Sequence, residues 1–223
     1  MNKLSTIAAS LLAAAMMAAC GDGSTTYSDM VISAGDTLAI SGASKHSNWR
    51  TSNRHVATVT SGLAIAARRE GFVKVSNEDG DAFAVTVMPV HGAGYVEPYL
   101  NFGKASVSDV KRAYSEENSD CHLKSEDPNG KYVVFSSTLK YVSQITAEFF
   151  GGKLDELKIS VKNAQSPVFR QYINERYVKV KTEGHNDIYL TTDGQCTVSV
   201  PTGSNDVNVV YKKNNGGLQL PEE

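Results

Sequence analysis

The sequence predicts a mostly β, two-domain protein: a β-sandwich followed by an α+β domain with an antiparallel sheet and two short helices. Three observations carry this. Short runs with period-two alternation recur at close spacing between residues 27 and 89. A Gly/Pro-rich stretch, Pro89-Val-His-Gly-Ala-Gly-Tyr-Val-Glu-Pro98, then breaks the pattern. Beyond it the order becomes helix, strands, helix, strands, as in a sheet with helices packed on one face.

The chain opens with a short positive segment, Met1-Asn-Lys3, and an apolar run from Ile7 to Ala19 interrupted only by Ser10. That run suits a signal h-region and is too short to span a bilayer, which takes about 20 residues. Its end, Met17-Ala18-Ala19-Cys20-Gly21, resembles the lipobox of bacterial lipoproteins. The resemblance implies cleavage before Cys20 and acylation of both its thiol and the new amino terminus. Residues 1–19 are then a lipoprotein signal peptide, and Cys20 is the lipidation site. A plain secretory signal abutting Cys20 is the rival reading. Several acyl chains give a stable anchor where one gives only marginal binding. Residues 20–26, with Gly21-Asp-Gly-Ser-Thr-Thr26, read as a flexible tether.

Residues 27–89 form the first module. Met30–Ile32, Thr37–Ile40, Val56–Thr60, Gly71–Ser76 and Ala82–Met88 alternate as strands. Ala34-Gly-Asp36, Ser61-Gly62 and Asn77-Glu-Asp-Gly-Asp81 supply turns between them. Asn48-Trp-Arg-Thr-Ser-Asn53, Val56-Ala-Thr-Val59, Ser61-Gly62, Ala66, Gly71 and Ala84-Val-Thr-Val87 resemble the bacterial Ig-like domain of group two in order and spacing. The interval from Gly62 to Gly71 is about one residue longer than that family's pattern, and the first strand lacks its proline-bearing segment. The resemblance implies an Ig-like β-sandwich used as a spacer or adhesive module, with Trp49 filling the core. A carbohydrate-stacking role is the other use open to Trp49. Asn77–Asp81 offers oxygen ligands for calcium but lacks the spacing of a calcium loop, and a hairpin turn explains it as well.

Residues 90–101 read as a linker and 102–213 as the α+β domain. Ser106 with Asp109 approximates a capping box, and Val107, Val110 and Tyr114 share a helical face. Strands follow at Lys131–Ser136, after the Asn129-Gly130 turn, at Gln144–Phe150 and at Leu157–Val161. Ser166 and Pro167 open a second helix whose buried face is Val168, Phe169, Tyr172, Ile173 and Tyr177. Asp187–Thr192 and Gln195–Val200 flank Asp193-Gly194, a two-residue hairpin signal. Asp206–Tyr211 makes the last strand, and 214–223 is a polar tail. The two halves read as a rough repeat. Phe102–Val110 is similar to the opening of small outer-membrane lipoproteins and of β-lactamase-inhibitor-like repeats, which implies a binding scaffold.

The 223-residue chain has a formal net charge of −2, with no electrostatic footprint for nucleic acid. With Cys20 lipidated, Cys121 and Cys196 remain, an even pair in an exported chain that suggests a disulfide. Closing a loop of about 75 residues would add about 4 kcal/mol in the chain-entropy account. Two buried free thiols are the alternative. No phosphate loop, nucleophile elbow, His-Glu-x-x-His or Cys-x-x-Cys occurs, and His46, His55, His91, His122 and His185 are scattered, so no cofactor or metal is expected. Glu116, Glu117, Asp120, Glu126 and Asp127 crowd one region and could supply paired carboxylates for a weak glycan hydrolase or hydrolase accessory.

The expected protein is a non-enzymatic cell-envelope lipoprotein, held by its lipid anchor at the outer membrane, on either its periplasmic or its surface face. Its Ig-like stalk presents a C-terminal domain to a protein or glycan. A purely structural spacer is a further reading. Cys20→Ser is expected to abolish palmitate labelling and release the protein from the membrane fraction; unchanged membrane association would contradict the lipobox.

Overall fold

The computed structural model describes residues 27–43 and 47–222. The expected signal, the tether with Cys20, and His46 lie outside the described residues. The first module holds seven strands: β1 (Met30–Ser33), β2 (Thr37–Ala39), β3 (Arg50–Thr51), β4 (Ala57–Val59), β5 (Ala64–Ala67), β6 (Gly71–Ser76) and β7 (Ala82–Met88). They form two sheets, β1-β7-β6-β3 and β2-β5-β4. All pairings are antiparallel except β1 with β7, which is parallel.

Alternation decides which side chains enter the sandwich. In β7, Phe83, Val85 and Val87 are buried while Ala84 and Thr86 are only half-buried. Trp49 packs in this core, its ring 5.8 Å from Phe83 and 5.0 Å from Tyr27. Asn77–Asp81 is a turn: the Asn77 side chain accepts from the amides of Asp79 and Asp81, and Gly80 takes a positive φ of 96°. Gly71, at the start of β6, has φ +148°, and a Cβ there would lie 2.9 Å from Val56 Cγ2. Only glycine lets β6 begin against buried Val56.

The second module holds α1 (Val107–Lys111), a π-helical turn (Arg112–Glu116), β8 (Cys121–Glu126), β9 (Tyr132–Ser137), β10 (Val142–Phe150), β11 (Lys153–Val161), α2 (Pro167–Asn174), β12 (Tyr177–Glu183), β13 (Asn186–Thr191), β14 (Cys196–Pro201) and β15 (Val207–Lys213). The eight strands make one sheet in the order β12-β13-β14-β15-β11-β10-β9-β8. A helix followed by a four-strand meander therefore occurs twice, and β11 pairs with β15 to join the meanders antiparallel.

Both helices begin as their sequences dictate. Ser106 Oγ accepts from the Asp109 amide and Asp109 accepts from the Ser106 amide, a reciprocal cap. Ser166 Oγ accepts from the Phe169 amide, with Pro167 in the first turn. The second helix ends at Asn174, so Tyr177, expected on its buried face, instead starts β12. Four strands escaped the sequence reading: β3, β5, β8 and β12. Residues 90–101 are more than a connector, because Tyr95 and Val96 are buried in the second core. The Tyr95 ring stacks 4.4 Å from Tyr172 and 5.0 Å from Tyr141. The tail also packs: Asn214 Nδ2 donates to the carbonyls of Gly194 and Leu218.

The expected Cys121–Cys196 bridge is absent; both cysteines are buried free thiols. Cys121 lies on β8 and Cys196 on β14, with β9, β10, β11 and β15 between them in the sheet. Five strand spacings of about 4.8 Å separate them along the sheet, whereas a disulfide needs Cα atoms within about 7 Å. Burial raises the Cys121 thiol and pushes that of Cys196 up to about 11, so both stay protonated at neutral pH. With Cys20 acylated, the folded protein is expected to resist a thiol reagent and the denatured protein to release two reactive thiols; one or none after denaturation without reductant would contradict this. Gly71→Ala is expected to cost about 2 kcal/mol in urea unfolding, through positive φ and the Val56 contact.

Candidate functional site

The helices and residues 95–105 cover one face of the eight-stranded sheet. Tyr95, Val96, Phe102, Ala105, Val110, Tyr114, Phe169, Tyr172 and Ile173 pack there against Phe135, Ile145, Leu157, Val198, Val209 and Tyr211. Among the described residues no helix covers the opposite face, although Leu190 and Val178 at its β13 and β12 end are buried. Register places Tyr132, Glu148, Glu156, Lys212 and Thr197 in one row across that face. Val134, Thr146, Lys158, Val210, Ser199 and Ile188 form the next, all half-buried. Ser136, Gln144, Ser160 and Asn208 form a third.

A charge network sits at the middle of this face. Lys158 Nζ is 2.6 Å from Glu148 and 2.7 Å from Glu156, and Lys212 pairs with the other Glu156 oxygen. Glu148 and Glu156 oppose each other across β10 and β11, and Lys158 offsets their repulsion. Glu156 is buried, which alone would raise its carboxyl pKa, but hydrogen bonds from Lys158 and Lys212 outweigh burial and hold it below the usual carboxylate range. Two carboxylates and two ammonium groups leave the centre neutral yet strongly polar.

A second group of charges lies where the modules meet. The Glu70 amide donates to the Glu175 carbonyl at 2.6 Å, and Arg69 Nε donates to the Tyr177 carbonyl. The Glu175 carboxylate accepts from the amides of Val90 and His91 and contacts His91 Nδ1 at 2.5 Å. Burial works to raise its pKa, but these hydrogen bonds prevail and lower it. Arg176 is buried, stacks 4.1 Å over Tyr172, and pairs with Glu97 at 2.5 Å and Glu70 at 3.4 Å. Burial, together with the charges of Glu97 and Glu175, raises the Glu70 pKa against the pull of Arg176. Beside this junction opens a cleft of about 420 Å³, lined by residues of both modules including Val56, Glu70, Phe72, Glu97, Thr192 and Asp193.

Of the acidic residues read as a possible hydrolytic pair, Glu117 and Asp120 line one cleft of about 520 Å³ together with Glu97, while Glu116, Glu126 and Asp127 are not among its lining residues. Glu126 pairs with Lys111 and Glu117 with Arg112. Asp127 accepts from the amides of Asn129 and Lys131, fixing the turn, and Asp120 accepts from Thr138. Glu116 is exposed on the π-helical turn. His55, His91, His122 and His185 are not gathered, and no group of three metal-binding side chains occurs among the described residues. The sequence reading missed Glu70, Glu97, Glu175 and Arg176, whose meeting depends on the docking of two modules. Compared with known proteins, the chain matches no family model and no curated protein.

Arg176→Ala is expected to destabilise the protein by about 2 kcal/mol in chemical unfolding, because it removes the buried packing over Tyr172 and the hydrogen bonds to the His91 and Tyr172 carbonyls; Glu70 and Glu97, partly exposed, regain water. The Glu156 network gives a pH dependence. Its folded pKa is depressed, so its contribution is complete above the usual carboxylate range and disappears as pH falls through the lowered value. Glu156→Gln should therefore flatten the acid limb of a stability–pH curve; an unchanged limb would contradict the assignment.

Proposed function

We propose that this chain is a non-enzymatic, lipid-anchored lipoprotein of the bacterial cell envelope that binds another protein on the uncovered face of its eight-stranded sheet. The lipobox-like end of the signal supports the anchor, and the seven-stranded sandwich agrees with the group-two Ig-like resemblance. The observation that carries the binding reading is the uncovered face itself. Leu190 and Val178, which continue the row past Thr197, are buried, so the open part of the face runs from β14 to β8. Five gaps of about 4.8 Å make it about 24 Å wide, and strands of six to nine residues make it at least about 20 Å long. The resulting area, roughly 480 Å², is more than half of the ~800 Å² that one partner contributes to a standard protein–protein interface.

The chemistry of the face agrees with a protein ligand. Val134, Val210 and Ile188 supply half-buried apolar area, Ser136, Ser160, Asn208 and Gln144 supply hydrogen-bonding groups, and the Glu/Lys network fixes register without net charge. The Ig-like module acts less as a free stalk than as a docked base, because the junction ties it to the second module.

A photo-cross-linking side chain at Thr146 of the anchored protein is expected to capture one defined partner, and the capture should be lost in Lys158→Glu. The same probe at Thr37, exposed on β2 in the other sheet of the sandwich, should capture none. Equal yields at the two positions, or turnover of a polysaccharide by the purified protein, would sink the proposal.

A further inference from the structure

The cleft between the modules contains a gap in a sheet edge. Antiparallel pairing sends the backbone groups of alternate residues to opposite sides of a strand. In β6, the Lys74 carbonyl accepts from the Ser52 amide and the Lys74 amide donates to Ser52 Oγ, so Lys74 faces the β3 side. Glu70 faces the same side, where its amide reaches the Glu175 carbonyl of the second module. Phe72 lies between them with the same polarity, but β3 ends at Thr51, opposite Val75. The N–H and C=O of Phe72 therefore point off the edge with no strand opposite them, and Phe72 lines the cleft.

The surroundings select what can fill that gap. Four charged side chains line the cleft, and three are acidic: Glu70, Glu97 and Asp193. The one cation, Arg176, is buried and already paired with Glu70 and Glu97. Asp193 is exposed, and its Oδ1 accepts from Thr191 Oγ1 and the Gln195 amide. Apolar contact is offered by Val56, Leu100 and Phe72, the last 67% exposed. A volume of about 420 Å³ is in the range of ligand sites, which favour domain interfaces.

We infer that this cleft binds an extended, lysine-bearing peptide segment, which pairs its backbone with the N–H and C=O of Phe72 and sets its ammonium group among Glu70, Glu97 and Asp193. This is strand addition confined to one residue pair, with charge setting the selectivity. The site is separate from the uncovered sheet face and takes a different ligand, so either can fail without the other.

The test is calorimetric titration of the detergent-solubilised full chain with acetyl-Val-Lys-Val-Lys-Val-amide, and with the same peptide carrying glutamate in place of lysine. Binding of the lysine peptide alone is expected. Phe72→Pro removes the edge amide without touching a β6–β7 bond and should weaken binding about tenfold, the scale of one or two lost hydrogen bonds. Glu70→Gln with Asp193→Asn should weaken it similarly and keeps the test valid if the proline variant does not fold. No binding of the lysine peptide, equal binding of the glutamate peptide, or full binding by the folded variants overturns the inference.

Discussion

The pairing of β11 with β15 is the constraint on which the second module depends. Each helix-plus-meander unit could bury only part of its sheet, and the edge strands β11 and β15 would be left open. Joined, they put Leu157 opposite Tyr211, Ile159 opposite Val209 and Val161 opposite Val207 on the core face. The same register puts Glu156 opposite Lys212 on the other face, where the two form an ion pair. A slip by one residue would turn the apolar set outward and the charges inward, so core and charge network specify the same register. One seam thereby fixes both the packing and the width of the uncovered face.

The junction acts on a different scale. Its bonds run from the end of α2 and the first residues of β12, through Glu175, Arg176 and Tyr177, to Glu70 and Arg69 of the sandwich, and from the Asn53 side-chain amide of the sandwich to the Thr192 carbonyl. Arg176 is the member least replaceable by another residue, because its planar group stacks on Tyr172 while its nitrogens serve Glu97, Glu70 and the His91 carbonyl. The gap at Phe72 follows from this docking: β3 is too short to cover the edge, and the second module closes the far side.

Local chemistry was legible in the sequence where it is self-contained. Ser106 with Asp109 and Ser166 with Pro167 each carry their own hydrogen-bonding solution, and each is found where the residues require it. Asp193-Gly194 does lie in the β13–β14 turn, but four residues separate the strands and the Gly194 amide donates to the Thr191 carbonyl, so the turn is centred on Thr192-Asp193 and is not the expected two-residue hairpin. The turn at Asn77–Asp81 was legible because it too is self-contained, whereas the core position of Trp49 was what the Ig-like resemblance implied. Cys121–Glu126 was not, because five of its six residues are exposed on an edge strand and carry little alternation. Tyr177 continues the apolar spacing of α2 although the helix stops at Asn174, so its periodicity pointed to the wrong element. The seam, the junction and the separation of Cys121 from Cys196 are properties of strand order, which spacing along a chain does not encode. Arg69 and the Tyr177 carbonyl, for example, meet across 108 positions.

The central claim is that the uncovered sheet face is occupied where the protein works. Hydroxyl-radical footprinting of the chain in intact producing cells, set against the purified protein, measures this directly. The account predicts that Tyr132, Val134, Ile188 and Val210 lose reactivity in cells while Val31, on the outer face of the sandwich, does not. Equal reactivity of the four residues in both states would contradict it.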